Sequence, residues 1–245
     1  MGHNSYGFEV DKGFYKAAQE KMLATMEMPL FRGGRGMKIL VACEESGRVT
    51  AEFRRLGHEA YSCDILPTSG GHPEWHIQGD VLPLLKEKWD MIIAFPPCTF
   101  LSNAGAKHLW RGHKLNEERY KKGLAAKEFF LALLNADCPK VCVENPVSSR
   151  VFKMPPHTQE IEPYMFGEPT RKKTRLWLRG LPKLEPTDIC LPLINCHEAG
   201  TWFMKGGKER QKNRAKTFPG VAKAMAEQFG GDIRDAEVDG ITTWR

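Results

Sequence analysis

Four short apolar runs alternate with longer segments of helical spacing, and that alternation limits the fold more than any other feature. The runs are Lys38 to Cys43, Glu59 to Cys63, Trp89 to Ala94 and Lys140 to Val143. Each is too short for a buried helix and has the length of a buried strand. Arg48 to Leu56, closed by Gly57, reads as a helix between the first two runs. Asn116 to Asn135 reads as a long helix before the fourth, with Tyr120, Leu124, Leu131 and Leu134 inward. Strands alternating with helices predict an α/β, Rossmann-like fold: a mostly parallel sheet with helices on both faces.

The flanks divide from this body by composition. In residues 1–36, Val10, Phe14, Ala17, Ala18 and Met22 recur at helical spacing before the breaker Gly33-Gly34-Arg35-Gly36, so an N-terminal helix and linker are expected. Residues 37–180 form the main domain, in which Trp75 to Gln78 leads to Asp80 and Thr174 to Leu178 is a strand ending at Gly180. Between Pro146 and Thr174 no periodicity stands out. Residues 181–216 read as a small basic lobe, where Lys205, Lys208, Arg210, Lys212, Arg214 and Lys216 face only Glu209. Residues 217–245 carry a last helix, Val221 to Phe229, started near Pro219-Gly220, stopped by Gly230-Gly231, and returning to the main domain.

With 245 residues, 41% hydrophobic and 27% charged, the chain has material for one substantial core. No run approaches the ~18 to 20 apolar residues of a membrane span, and the first residues lack a signal-peptide layout, so a cytoplasmic location is expected. Seven cysteines is an odd number, and Cys43, Cys63, Cys98 and Cys142 sit in or beside apolar runs, which argues for free thiols over a disulfide framework. Cys190, Cys196 and His197 lack paired short-spaced ligands, so no metal is expected. The formal charge of +6 is modest, but the basic stripe in the lobe is suited to phosphate.

In parallel sheets ligands gather at the carboxyl ends of the strands. Glu44, Glu45, Asp64, Asp80, Cys98 and Glu144 all lie at or just past such ends and should share one rim. Cys98 follows its strand in Phe95-Pro96-Pro97-Cys98-Thr99, and the fourth run ends in Glu144-Asn145-Pro146. A thiol and a carboxyl there can converge on one small substrate, the thiol as nucleophile and the acid as proton donor.

The order Pro97-Cys98, Glu144-Asn145, Lys173-Thr174-Arg175, then Pro219 to Phe229, resembles the S-adenosylmethionine-dependent DNA (cytosine-5) methyltransferases, especially their short, phage-borne members. The resemblance covers about Met37 to Phe229. It implies a methyltransferase domain that moves a methyl group from S-adenosyl-L-methionine to C5 of cytosine in DNA. Cys98 would be the nucleophile at C6, Glu144 the partner of N3, and Arg175 with Lys173 the partners of O2. Lys173 stands where the family has its first arginine. The cofactor would be held by Ala42, Cys43, Glu44, Ser46, Gly47, Asp64 at the ribose, Ile65, Asp80 at the adenine, Val81, Phe95 and Pro96. The family's glycine-rich loop is reduced here to Cys43-Glu44-Glu45-Ser46-Gly47, in which Ser46 is expected to cap the following helix.

For DNA the resemblance implies Pro97, Thr99, Ser102 and Asn145 at the flipped base. Lys107 and Arg111, in a mobile loop from Leu101 to Lys114, and Lys208, Arg210, Lys212 and Arg214 in the lobe would meet the backbone. Some thirty-odd residues of lobe leave little room for base-reading elements, so sequence preference should be short or lent by a partner. An amino-group methyltransferase fits less well: it wants Asp, Asn or Ser before the prolines and an aromatic after, where this chain has Phe95 and Cys98. RNA or a free pyrimidine nucleotide as substrate, and a degenerate domain that only binds nucleic acid, remain as alternatives.

Overall fold

The computed structural model describes residues 36–106, 108–192, 194–195 and 216–231. The N-terminal helix expected before Gly36, most of the basic stripe, and the last residues lie outside them. The expected strands form: β1 (Lys38–Ala42), β2 (Glu59–Asp64), β3 (His76–Gln78), β4 (Met91–Ala94), β5 (Lys140–Pro146) and, after a further strand β6 (Gln159–Ile161), β7 (Thr174–Arg179). The sheet order is β3-β2-β1-β4-β5-β7-β6. β1 to β5 pair in parallel, and β7 runs antiparallel between β5 and β6. The chain winds outward from β1 through β2 to β3, then returns to build β4 and β5 on the other side. The strand order therefore reverses between β1 and β4, where a doubly wound sheet opens a crevice at its carboxyl edge.

Strict alternation assigns each strand's side chains to one of two cores. Leu40, Ala42, Ile92, Ala94, Val141, Val143 and Trp177 face the long helix α2 (Glu117–Leu134), which contributes Phe130 and Leu133. Ile39, Val41, Met91, Ile93, Cys142 and Leu176 face α1 (Arg48–Arg55) and α3 (Pro219–Met225), which continues as a π-turn through Gly230. Helices thus cover both faces. Among the described residues, no helix is long and apolar enough to cross a membrane.

Three expectations need correction. Leu124 of α2 is exposed, and Gly123, Phe130 and Leu133 are the buried positions. The cause is a close approach: a side chain at Gly123 would overlap the Phe152 ring, so the helix seats its smallest residue there and turns Leu124 outward. The stretch between Pro146 and Thr174 is not wholly irregular, because β6 pairs along β7. The segment after Cys98 is more ordered than an open loop. It holds a helical turn at Asn103–Ala106 and a small ladder of Trp110–Arg111 on Lys114–Leu115, pinned by the buried Leu101 and Leu109.

Residues 181–192, the start of the expected lobe, lie on the main body. Leu184 is buried in the α1/α3 core and bracketed by Gln159, while Glu185 and Gln228 exchange hydrogen bonds of 2.8 Å.

Candidate active site

The loop after β1 closes back on itself through two left-handed residues, Cys43 (φ 58°) and Gly47 (φ 64°). Glycine takes that conformation without strain, whereas a side chain at Cys43 costs about 1–2 kcal/mol. Ser46 does not cap α1. The carboxylate of Glu44 does so, accepting from Val49 N (2.7 Å), Thr50 N (3.3 Å) and Thr50 Oγ1 (2.7 Å). Glu44 is buried, and that burial raises its pKa despite these donors. The longer side chain reaches the free amides because Gly47 turns the chain before the helix begins, which carries Ser46 past them.

The loop following β2 folds onto this turn: Ser69 N donates to the Glu45 carbonyl at 3.1 Å and Thr68 Oγ1 at 3.0 Å. Together they wall a cleft of about 90 Å³, lined by Cys43, Glu44, Glu45, Ser46, Asp64, Leu66, Phe95, Lys216 and Thr217. It lies at the reversal between β1 and β4. Arg48 fixes the far wall by donating to the Thr217 carbonyl at 2.8 Å, which ties the entry of α3 to the start of α1. Asp64, half-buried, accepts from Leu66 N at 2.9 Å, and burial raises its pKa. Burial, then Asp64, Cys63 and Asp80, hold the Cys43 thiol well above its ordinary range, so it is a neutral wall and not a thiolate. Asp80 accepts from Leu82 N at 3.0 Å. Ile65 is exposed beside the cleft, whereas Ala42 and Val81 are buried in the core and can offer a ligand only backbone.

Pro96 is buried and Phe95 and Cys98 are half-buried at the end of β4; Pro97 and Thr99 are exposed. Cys98 begins a turn in which its carbonyl accepts from Ser102 N at 2.9 Å. That turn is joined to the loop after β5: Asn103 N donates to the Val147 carbonyl (2.9 Å), Ser149 N to the Leu101 carbonyl (2.7 Å), and Ser102 pairs with Ser148. The buried Asn145 donates to Ser148 Oγ and to the Pro146 carbonyl, both at 3.0 Å, which shapes the second loop from within. Arg119, in the first turn of α2, donates to the Thr99 and Gly105 carbonyls at 3.2 Å and lies over the Phe100 ring. The Cys98 and Glu144 loops are therefore one hydrogen-bonded unit at the ends of adjacent parallel strands.

Glu144 is half-buried on the α1/α3 side of β5, with Cys142, and burial raises its pKa while Lys172 lowers it. Arg175 pairs across the ladder with Asn145, and Leu176 with Glu144, so Arg175 points to the opposite face. There it meets Glu160 of β6 at 2.9 Å, alongside Lys173 at 3.3 Å. The structure brings Arg175 and Lys173 to the right end of the sheet but not to the side of Glu144. Lys107, Lys208, Arg210, Lys212 and Arg214 lie outside the described residues, and of Arg111 only the backbone ladder is described.

Sequence reasoning missed Leu66 and Thr217 in the cleft, the placement of Lys216 there, and Arg119 at the cysteine turn. Nothing local marks the wall from Lys216 and Thr217, which arrive through a contact across 169 residues. Arg119 carries a local signal, since it is three residues past the cap Asn116, which accepts from its amide.

No protein-family model matches the chain, and no curated protein sequence matches it. Among solved structures it is similar to a prophage-encoded protein of E. coli assigned as a DNA modification methyltransferase, at 14% identity and a TM-score of 0.39 over 64% of this chain and 52% of that one. It is likewise similar to the Entamoeba histolytica methyltransferase EhMeth, at 15% identity and a TM-score of 0.39 over 64% and 58%. The match spans little more than half the length of either protein.

Proposed function

We propose that the protein transfers a methyl group from S-adenosylmethionine to C5 of cytosine in DNA, with Cys98 as nucleophile and Glu144 as the acid at N3. The observation that carries this reading is the seam joining the Cys98 and Glu144 loops. It holds a thiol and an acid whose pKa is raised at adjacent strand ends, beside the switch-point cleft.

The cleft residues suit the cofactor's chemistry. Glu45 and Asp64 present acidic groups to a ligand carrying a sulfonium and an ammonium, and Lys216 offers a partner for its carboxylate. Asp64, at the end of β2, would accept the ribose hydroxyls, and the exposed Ile65 and Leu66 would cover the adenine. When bound, S-adenosylmethionine supplies an electrophilic methyl group.

The protein residues supply the rest. C5 of cytosine is a weak nucleophile, so the Cys98 thiolate adds to C6 and the C5–C6 electron pair becomes available at C5. The charge that flows toward N3 is met by the proton of Glu144, which burial keeps protonated to higher pH than an ordinary glutamate. Once C5 carries the methyl group, its proton leaves to a base or water, and the returning electron pair expels the Cys98 thiolate. The target ring is inaccessible in a duplex, so the base must be flipped or presented single-stranded.

The test is incubation of the protein with labelled S-adenosylmethionine and DNA containing 5-fluorocytosine. The fluorine blocks loss from C5, so a denaturant-stable adduct carrying the label should accumulate and should vanish in Cys98→Ser. No adduct and no methyl transfer across a random-sequence DNA pool would refute the reading.

A further inference from the structure

The run Arg171-Lys172-Lys173-Thr174-Arg175 carries four cations leading into β7; the ladder fixes the face of Arg175, and the contacts of Lys172 and Lys173 show which way each of them turns. Pairing of Thr174 with Pro146 and of Leu176 with Glu144 fixes the alternation. Within β7, even-numbered residues lie on the α1/α3 side with Glu144 and odd-numbered ones on the other. Lys173 turns the same way as Arg175, since both engage Glu160. Lys172, half-buried, turns the other way: its Nζ lies 5.6 Å from the centre of the Phe218 ring, at the entry of α3.

Resting on the cytosine reading above, we propose that Lys172, and not Lys173 or Arg175, is the cation of the base-binding site, paired with Glu144. Its ammonium lies over the Phe218 ring at the entry of α3, directly after the Lys216-Thr217 wall of the cleft, and its charge reaches Glu144. It would meet the negative charge that develops on the ring once Cys98 has added. Lys173 and Arg175 already answer to Glu160, with His157 3.6 Å from the same carboxylate.

Among the described residues, Cys142 stands two residues below Glu144 on β5, the apolar Leu176 lies opposite it on β7, and Phe95 and Cys98 follow the neighbouring strand β4. Among the described residues Lys172 is the cation whose charge reaches Glu144, lowering a pKa that burial raises.

The experiment follows the Glu144 carboxyl by NMR in protein labelled at the glutamate side chains, its signal assigned with Glu144→Gln. Lys172→Met should raise the Glu144 titration, Lys172→Arg should restore it, and Lys173→Met should leave it in place. In methyl-transfer assays the alkaline limb of the pH profile, where the acid is lost, should move to higher pH in Lys172→Met. Turnover there should fall by about a hundred- to a thousandfold, as when one charge-stabilising donor is removed. An unmoved Glu144 titration in folded Lys172→Met, or an equal movement in Lys173→Met, overturns the pairing. If the titration moves as expected but no variant and no wild-type protein methylates cytosine, the pairing stands and the cytosine reading falls.

Discussion

Removing the Arg119 guanidinium should loosen the Cys98 turn without loosening the sheet. One terminal nitrogen of Arg119 donates to both Thr99 O and Gly105 O at 3.2 Å, and the cation lies 5.0 Å from the Phe100 ring centre. A hydrogen bond from a charged donor is worth about 1.5–3 kcal/mol net, but here one nitrogen is shared and the side chain is half-exposed, so about 1 kcal/mol is the reasonable share. The ring contact adds roughly 0.5 kcal/mol. The sum, about 1.5 kcal/mol, corresponds to roughly a tenfold change in a local opening equilibrium. Amide hydrogen exchange reads that equilibrium directly. In Arg119→Ala the amides of Ser102 and Asn103, which donate to Cys98 O and Val147 O, should exchange about ten times faster. Those of Leu40 and Val41 in β1 should not change. Arg119→Lys keeps the charge but presents a compact ammonium in place of the planar fork, so it should recover only part of the protection. Unchanged exchange at Ser102 and Asn103, or equal acceleration in β1, would refute the idea that Arg119 holds this turn.

Glu44 and Gly180 give two further tests. Burial raises the Glu44 pKa, so the folded state binds its proton more tightly than the unfolded chain does. The stability from this group is therefore greatest below the ordinary glutamate range and is lost as pH rises through the higher folded value. In thermal melts, the Tm difference between the wild type and Glu44→Gln should shrink as pH rises from about 4 toward neutrality; a pH-independent difference would refute this. Gly180 has φ 65° where β7 ends, and a side chain there would overlap the Pro139 carbonyl. Gly180→Ala should lower stability by about 2–4 kcal/mol in urea unfolding, from left-handed strain plus overpacking; a loss below half a kilocalorie would show that the turn relaxes freely.

Hydrophobic runs are a local property, which is why β1, β2, β4 and β5 were readable from the chain and why Cys98, Glu144 and Asp64 could be assigned to strand ends. β6 was not readable. Gln159-Glu160-Ile161 has one apolar residue in three and becomes a strand because β7 lends it an edge. The inward face of α2 followed from a glycine pressed against Phe152, a contact 29 positions away that no helical periodicity encodes. Glu44 took the capping role expected of Ser46 because the turn at Gly47 decides which oxygen meets the free amides.

Spacing and hydrophobicity in the chain alone were enough to establish a mostly parallel α/β body with a thiol, an acid and several carboxylates along one rim. Tertiary structure decided which of them face one another. Register is the reason: side chains on a strand alternate between faces, and because Leu176 pairs with Glu144 and Arg175 with Asn145, Arg175 turns away from Glu144, where a shift of one residue would bring it to the same face. Pairing between β5 and β7, contributed by residues about thirty positions apart, sets that register. The same long-range folding brings Lys216 and Thr217 onto the cleft after β1 and sews the Cys98 turn to the loop that follows Glu144.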